Sequence, residues 1–223
     1  MSAPQHDLVI RGAEVHDGTG APGRRADVAV NDGLIVAVGE VPGAGREEID
    51  ATGRILTPGF VDIHTHYDGQ AVWDDATAPS VYHGVTTVVM GNCGVGFAPC
   101  APENRDGLIE LMEGVEDIPA PVMHEGLTWE WETFPEYLDV LERVPRDIDV
   151  CALVPHAPVR VHVMGERALK LQPATADDVA QMRRIVAEAV EAGAWGLSTS
   201  RSTAHKSLAG DYTPTLLARE REI

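Results

Sequence analysis

Short runs of alternating hydrophobic and polar residues occupy roughly the first 55 positions, and turn residues separate these runs. Alternation with a period of two predicts strands. The strands are predicted over residues 7–11, 26–30, 34–38, 47–50 and 54–56. Asn31-Asp32-Gly33 is typical of a hairpin turn, and Thr52-Gly53 predicts a second turn. Residues 1–57 are therefore predicted to be a small β module with little helix.

After Pro58-Gly59 the pattern changes to apolar strands that alternate with amphipathic helices. Strands are predicted over residues 60–64, 86–90, 148–154 and 194–199. Helices are predicted near residues 79–83, 103–112, 134–143 and 174–192. The last helix is the clearest, because Thr175 and Asp178 have the spacing of an N-terminal capping box. Since strands joined by helices pair in parallel, residues 58–223 are predicted to be an α/β domain.

The C-terminal segment, residues 202–223, has no clear hydrophobic period and ends in the charged run REREI. Such a segment is predicted to be a frayed, solvated tail.

Composition narrows the class of protein. Of the 223 residues, 44% are hydrophobic, which is typical of a globular chain, and 17 basic against 35 acidic residues give a net charge of −18. This charge argues against binding to nucleic acid or anionic lipid. The odd number of cysteines argues against a disulfide-stapled secreted fold. With no recognisable signal peptide and no apolar run of about 18 residues, we expect a cytoplasmic protein without a membrane span.

His64 and His66 follow the first strand of the α/β part. Side chains two residues apart on a strand point the same way, so both imidazoles can bind one divalent metal ion. Active sites of α/β barrels lie at this end of the strands. The alternative is two ordinary histidines, one that caps the strand and one that is exposed.

Cys93 lies in the glycine-rich loop 91–96 (GNCGVG), which follows the second strand. A thiolate there suits Zn²⁺ and can bridge two ions. The alternative is a buried, inert thiol, which is the usual state of a free cysteine.

Four segments together resemble a known family. Residues 58–68 (PGFVDIHTHYD) are similar to the metal-binding opening of the amidohydrolase superfamily. Three further segments resemble its D-aminoacylase, or N-acyl-D-amino-acid deacylase, branch: 84–94 (GVTTVVMGNCG), 112–119 (MEGVEDIP) and 125–132 (EGLTWEWE). The resemblance extends from about residue 7 to about residue 203.

The resemblance implies a zinc-dependent (β/α)₈ barrel beside a small β-sandwich, with one or two zinc ions and a small N-acyl amino acid as substrate. In that family the paired histidines hold one metal, which corresponds to His64 and His66. The cysteine of the second barrel strand, here Cys93, ligates zinc and can bridge to the other site. Many relatives use a carboxylated lysine on the fourth strand instead, and residues 194–199 (AWGLST) contain no lysine, which agrees with the cysteine variant.

His156 follows the third strand, where the family often has a Gly-His-Gly-like turn. It is predicted to line the substrate pocket, with a structural histidine at a strand end as the alternative. Arg201 and His205 follow the fourth strand and either reach a substrate carboxylate or belong to a solvated loop.

Four other side chains are candidates: Asp62 and Asp68, which flank the histidines, and Trp129 and Trp131. Asp62 is interpreted as orienting the histidines, and the role of Asp68 is left open. Trp129 and Trp131 either wall the pocket or pack under a long loop.

The predicted strands account for about half of a closed barrel, which needs eight. The resemblance places two further zinc-binding histidines and the general-base aspartate on later strands, beyond residue 223. We therefore interpret residues 58–223 as the N-terminal half of a metal-dependent (β/α)₈ hydrolase barrel, which leaves the barrel incomplete. The chain would then be a truncated or frameshifted product or a gene fragment. As it stands, it is predicted to have negligible deacylase activity.

Two alternatives remain. The first is a hydantoinase-like amidohydrolase of cyclic amides, although a cysteine in place of the strand-four lysine counts against it. The second is a non-catalytic remnant that binds metal or pairs with a complementing chain. The exposed face of a half-barrel would also favour self-association.

Overall fold

The computed structural model describes residues 4–223, which divide into two compact units with the boundary between Gly59 and Phe60. Each unit has its own buried residues. Within the described part of the chain, no helix is both long enough and apolar enough to cross a membrane.

The first unit is a five-stranded sheet. Its strands are β1 (His6–Val15), β2 (Arg24–Asn31), β3 (Leu34–Gly39), β4 (Gly45–Asp50) and β5 (Ile55–Leu56). The order is β3-β2-β1-β4, with β5 also paired to β1; β2 runs antiparallel to β1 and β3, while β4 and β5 run parallel to β1. The predicted hairpin is confirmed, because Asp32 and Gly33 connect β2 to β3 with positive φ angles of 49° and 74°.

Small apolar side chains pack on both faces of this sheet. Neighbours along a strand point to opposite faces, and Val28 and Ala29 accordingly belong to different clusters. The described residues of this unit form one sheet, so the β-sandwich stays a prediction.

The second unit consists of short parallel strands and helices, as predicted. Its strands are β6 (Phe60–Asp62), β7 (Val85–Met90), β8 (Asp149–Ala152), β9 (Val154–Pro155) and β10 (Leu197–Ser198). The order β6-β7-β8 forms one parallel sheet, and β9 pairs in parallel with β10. Among residues 4–223 no strand joins β6 to β10, so the strands do not close into a barrel.

Six helices accompany these strands. They are α1 (Arg105–Glu116), α2 (Ala120–Gly126), α3 (Phe134–Arg143), α4 (His156–Met164), α5 (Glu166–Leu169) and α6 (Ala176–Glu191). The predicted capping box of α6 is confirmed, since Thr175 Oγ1 accepts from the Asp178 amide at 3.2 Å and Asp178 Oδ2 accepts from the Thr175 amide at 2.8 Å. The segment predicted as helix near residues 79–83 is a 3₁₀ turn, Ser80–His83. Helices α2, α4 and α5 were not predicted.

The prediction of a frayed C-terminal tail is wrong. Thr213 and Thr215 are each only 1% exposed, and Thr215 Oγ1 donates to the Ser200 carbonyl at 2.6 Å. Glu222 forms a buried ion pair with Arg160 of α4. Hydrophobic periodicity did not reveal this anchoring, because polar side chains provide it.

Candidate metal centre

The ends of two neighbouring parallel strands place the predicted ligands side by side. His64 and His66 follow β6, and Cys93 follows β7. Between the histidines, the amide and the hydroxyl of Thr65 both donate to the Val89 carbonyl of β7 at 3.0 Å. This double contact holds the histidine segment against the adjacent strand.

The loop that carries Cys93 depends on glycine. Gly91 has a φ of 88°, and a Cβ there would lie 2.1 Å from the carbonyl oxygen of Leu153. Asn92 Nδ2 donates to the carbonyls of Ile63 at 3.2 Å and Val89 at 3.1 Å. The loop is therefore packed against the β8–β9 connection and tied to the ends of β6 and β7.

His64, His66 and Cys93 form a compact donor group. His64 Nε2 lies 3.1 Å from Cys93 Sγ, and one ligand atom from each of the three residues lies within 4.8 Å of the other two. His64 is exposed, whereas His66 and Cys93 are half-buried. Two imidazoles and a thiol are donors that Zn²⁺ prefers in proteins, so the residues fit a zinc ion.

A carboxyl group that sequence reasoning did not identify also lies at this site. Glu116 Oε2 is 3.2 Å from His66 Nε2, and both side chains are 19% exposed. The only sequence signal for it was the segment 112–119, which carried a family resemblance but no assigned role. Nothing in the local pattern shows that the end of α1 meets the end of β6.

Burial favours the neutral forms of the groups at this site. It raises the pKa of Glu116 to about 7, with a contribution from the negative charge of Asp117. It lowers the pKa of His66 to about 4, with electrostatic contributions from His64 and His205. Burial also raises the pKa of the Cys93 thiol, and the charge of Glu116 adds to this effect. A bound cation would reverse these preferences, because it stabilises both thiolate and carboxylate.

Two aspartates flank the histidines. Asp62 Oδ1 accepts from the His64 amide at 3.1 Å, which orients the start of the histidine segment. Asp68 is 3% exposed, and burial raises the pKa of its carboxyl group to about 7 although the Gly91 amide acts in the opposite direction. Its backbone carbonyl accepts from Tyr137 Oη at 2.7 Å.

His156 lies outside the compact donor group. It is the first residue of α4, is 1% exposed, and has its Nδ1 2.9 Å from Thr199 Oγ1. Burial lowers its pKa to about 4. It lines a cavity of about 310 Å³ together with Met182 and Val186 of α6. A role in substrate binding stays a prediction.

The remaining candidates separate into packed and accessible side chains. Trp131 is 2% exposed, and its Nε1 donates to the Phe97 carbonyl at 2.8 Å, so it packs in the core rather than facing solvent. Arg201 is exposed, and His205 is near enough to His66 to affect its pKa.

Comparisons with known proteins identify relatives over most of the chain. The amidohydrolase family model matches residues 47–222, so the expectation that the resemblance ends near residue 203 is wrong. The D-aminoacylase of Alcaligenes xylosoxydans xylosoxydans is 35% identical over 194 residues, which cover 86% of this chain and 37% of that protein. The N-acyl-D-glutamate deacylase of the same organism is 38% identical over 219 residues, covering 97% and 40%.

Solved structures show the same similarity. A D-aminoacylase described as having a binuclear metal centre superposes with a TM-score of 0.79 at 33% identity, covering 97% of this chain and 41% of that one. The N-acyl-D-glutamate deacylase of Bordetella bronchiseptica, complexed with zinc and a phosphonate inhibitor, gives 0.68 at 36% identity, covering 87% and 38%. The chain thus spans about two fifths of the length of these relatives.

Proposed function

The chain belongs to the amidohydrolase family, and we propose that it forms the N-terminal part of a metal-dependent hydrolase that removes the acyl group from N-acyl-D-amino acids. The observation that carries the proposal is the donor group His64, His66 and Cys93 at the ends of two adjacent parallel strands. The relatives named as D-aminoacylase and N-acyl-D-glutamate deacylase support the substrate class.

His64, His66 and Cys93 would hold one or two zinc ions. A bound zinc ion supplies polarisation of the scissile carbonyl group and activation of a water molecule. The chain's own residues provide the geometry: Thr65 and Asn92 tie the ends of β6 and β7 together, and the exposed imidazole of His64 leaves the site open to a substrate.

The proposed fold is the first half of a (β/α)₈ barrel. Phe60 and Val61 of β6 are 60% and 57% exposed, and Ile63 just after it is 73% exposed. Both faces of a parallel sheet are normally covered, so these exposed side chains favour further strands and helices of a barrel that would pack against β6. Such strands would come from further residues of a longer chain or from a second chain, and would also bring the general base.

The metal centre can be tested with cobalt(II), whose bond to a thiolate gives a near-ultraviolet charge-transfer band. We expect the 223-residue chain to show this band, Cys93→Ser to lose it, and Cys151→Ser to retain it as the matched control. Absence of the band from the unsubstituted chain, or its persistence in Cys93→Ser, would contradict the proposed site.

The substrate class is tested with N-acetyl-D-methionine, its L-enantiomer and a hydantoin. A product of the length of the relatives that contains this chain is expected to hydrolyse the D-compound, and the zinc-loaded 223-residue chain to show negligible turnover. Preference for the hydantoin would refute the deacylase proposal. Turnover by the 223-residue chain would refute the need for further strands.

A further inference from the structure

Glu116 ends helix α1 directly beside the donor group. Asp117, the next residue, takes a left-handed conformation with a φ of 55° and terminates the helix. Four apolar residues of α1 are buried in the core of the second unit: Leu108, Ile109, Leu111 and Met112. The position of Glu116 is therefore fixed by a packed helix and not by a mobile loop.

The two glutamates of the segment 112–119 have different tasks. Glu113 Oε1 accepts from the Ala120 amide at 2.9 Å, which ties α1 to α2. Glu116 takes no part in that connection, and its Oε2 instead lies 3.2 Å from His66 Nε2. One glutamate thus holds the helix end, and the other presents an oxygen to the site.

The 3.2 Å distance between Glu116 Oε2 and His66 Nε2 fits two ligands of one metal ion. Zinc binds imidazole nitrogen and carboxylate oxygen at about 2.0–2.1 Å, so near-tetrahedral geometry separates the two ligand atoms by about 3.3 Å. Glu116 lies outside the compact group of three, so its oxygen belongs to the His66 side of the site.

The surroundings of Glu116 favour a cation. Its side chain is mostly buried, and among the described residues no lysine or arginine lies within 4.0 Å of its carboxyl oxygens. A buried carboxylate without a positive partner is unfavourable. The C-terminal end of α1, which carries the negative end of the helix dipole, points to the same place.

We propose that Glu116 is an oxygen ligand of the ion bound at His66. The inference rests on the proposed function, because it assumes the metal centre of His64, His66 and Cys93. It gives the segment 112–119 a chemical role, and it makes the centre a mixed nitrogen, sulfur and oxygen site.

The test compares single variants of the 223-residue chain for cobalt(II) binding, measured by chelator competition and visible absorption. Glu116→Gln is expected to weaken binding by tenfold or more and to change the d–d bands, while the thiolate band from Cys93 persists at saturating metal. Two control variants each remove a nearby negative charge but keep the carboxylate of Glu116. They are Asp117→Asn, at the next residue, and Glu110→Gln, on the exposed side of the same helix. Both are expected to bind within about twofold of the unsubstituted chain.

Three results would overturn the inference. The first is unchanged affinity and bands in Glu116→Gln. The second is an equal loss in Asp117→Asn, which would show a charge effect without ligation. The third is failure of the unsubstituted chain to bind cobalt. Of the three results, only this one would also contradict the proposed metal centre. Circular dichroism of the metal-free variants separates loss of a ligand from loss of fold, and Glu116→Asp, which keeps the carboxylate, is expected to retain more affinity than Glu116→Gln.

Discussion

Burial distinguishes two histidines of this chain, His64 and His156. His64 is exposed at the donor group, whereas His156 is enclosed between α4, α6 and the end of β10. A buried imidazole resists protonation, because its charged form would lose hydration. His156 therefore links the stability of the fold to pH.

The first prediction concerns this linkage. The pKa of His156 is about 4 in the folded chain against an ordinary value of 6.5. As the pH falls from 6.5 towards 4, the unfolded chain takes up a proton that the folded chain does not, so stability is lost in that window. The contribution of His156 between pH 7.5 and pH 5 is expected to be about 2 kcal/mol.

Urea unfolding of the unsubstituted chain and His156→Gln at the two pH values measures this contribution. Other groups titrate in the same range, His66 among them, so the difference between the two proteins isolates His156. We expect the loss of stability on acidification to be smaller in the variant. Identical losses in both proteins would show that His156 is not the source.

The three donor residues could be identified from the sequence because their signals are local. His64 and His66 are two residues apart after a strand, and Cys93 lies in a glycine-rich loop. Glu116 could not be identified in this way. It is 50 residues from His66 along the chain, and only the packing of α1 brings the two side chains together.

The hydrophobic pattern of the sequence predicted those helices that have both a polar and an apolar face. Helices α3 and α6 match their predicted ranges, and capping boxes at Thr133 and Thr175 mark where they begin. Helix α4 has seven of its nine residues buried, so it lacks the polar face on which a helical period depends.

The strand predicted over residues 194–199 is longer than the strand in the structure. Only Leu197–Ser198 forms β10, which pairs with β9 alone among the described strands. The residues that follow turn towards the Cys93 loop, where a Cβ on Gly94 would lie 2.8 Å from Thr199 Cα. Contacts with a loop far away in the sequence thus end the strand.

The second prediction compares two glycines in different elements. Gly91→Ala forces a Cβ against the Leu153 carbonyl in a left-handed conformation, and is expected to lower the free energy of unfolding by about 2 kcal/mol or more. Gly107→Ala lies within α1, where an added Cβ meets nothing within 4 Å. It is expected to raise the free energy of unfolding by about 0.5–1 kcal/mol, because alanine favours helix.

Urea unfolding at one pH gives both values, and cobalt binding adds a functional measure. Gly91→Ala is expected to weaken the thiolate band, because the loop that carries Cys93 must shift, whereas Gly107→Ala leaves the band unchanged. Equal stabilities for the two variants would contradict the role assigned to Gly91.

Across the chain, the sequence predicted two units and a parallel α/β class, but not the anchoring of residues 213–223. That anchoring comes from pairs that lie far apart in the chain, Arg160 with Glu222 and Ser200 with Thr215. What the described residues leave uncovered is the outer edge of β6, since only β7 pairs with this strand.

An open edge strand with exposed apolar side chains is a surface for strand pairing. The net charge of −18 opposes association between copies of the chain, and salt screens this repulsion. The third prediction is therefore that the 223-residue chain associates more strongly as its concentration and the salt concentration rise. Val61→Lys places a charge on the edge of β6, where Val61 is 57% exposed, and is expected to reduce this association.

Sedimentation velocity at several protein and salt concentrations measures the effect, with Leu208→Lys as the control. Leu208 is 70% exposed in a loop, so its substitution adds the same charge and removes a similar apolar surface away from any strand edge. Because the two variants have equal net charge, a weaker association in Val61→Lys alone would assign the contact to β6. Equal association in both variants would show that the chain associates through another surface, or through exposed hydrophobic side chains in general. The open edge of β6 would then no longer support the proposal of additional strands beside it.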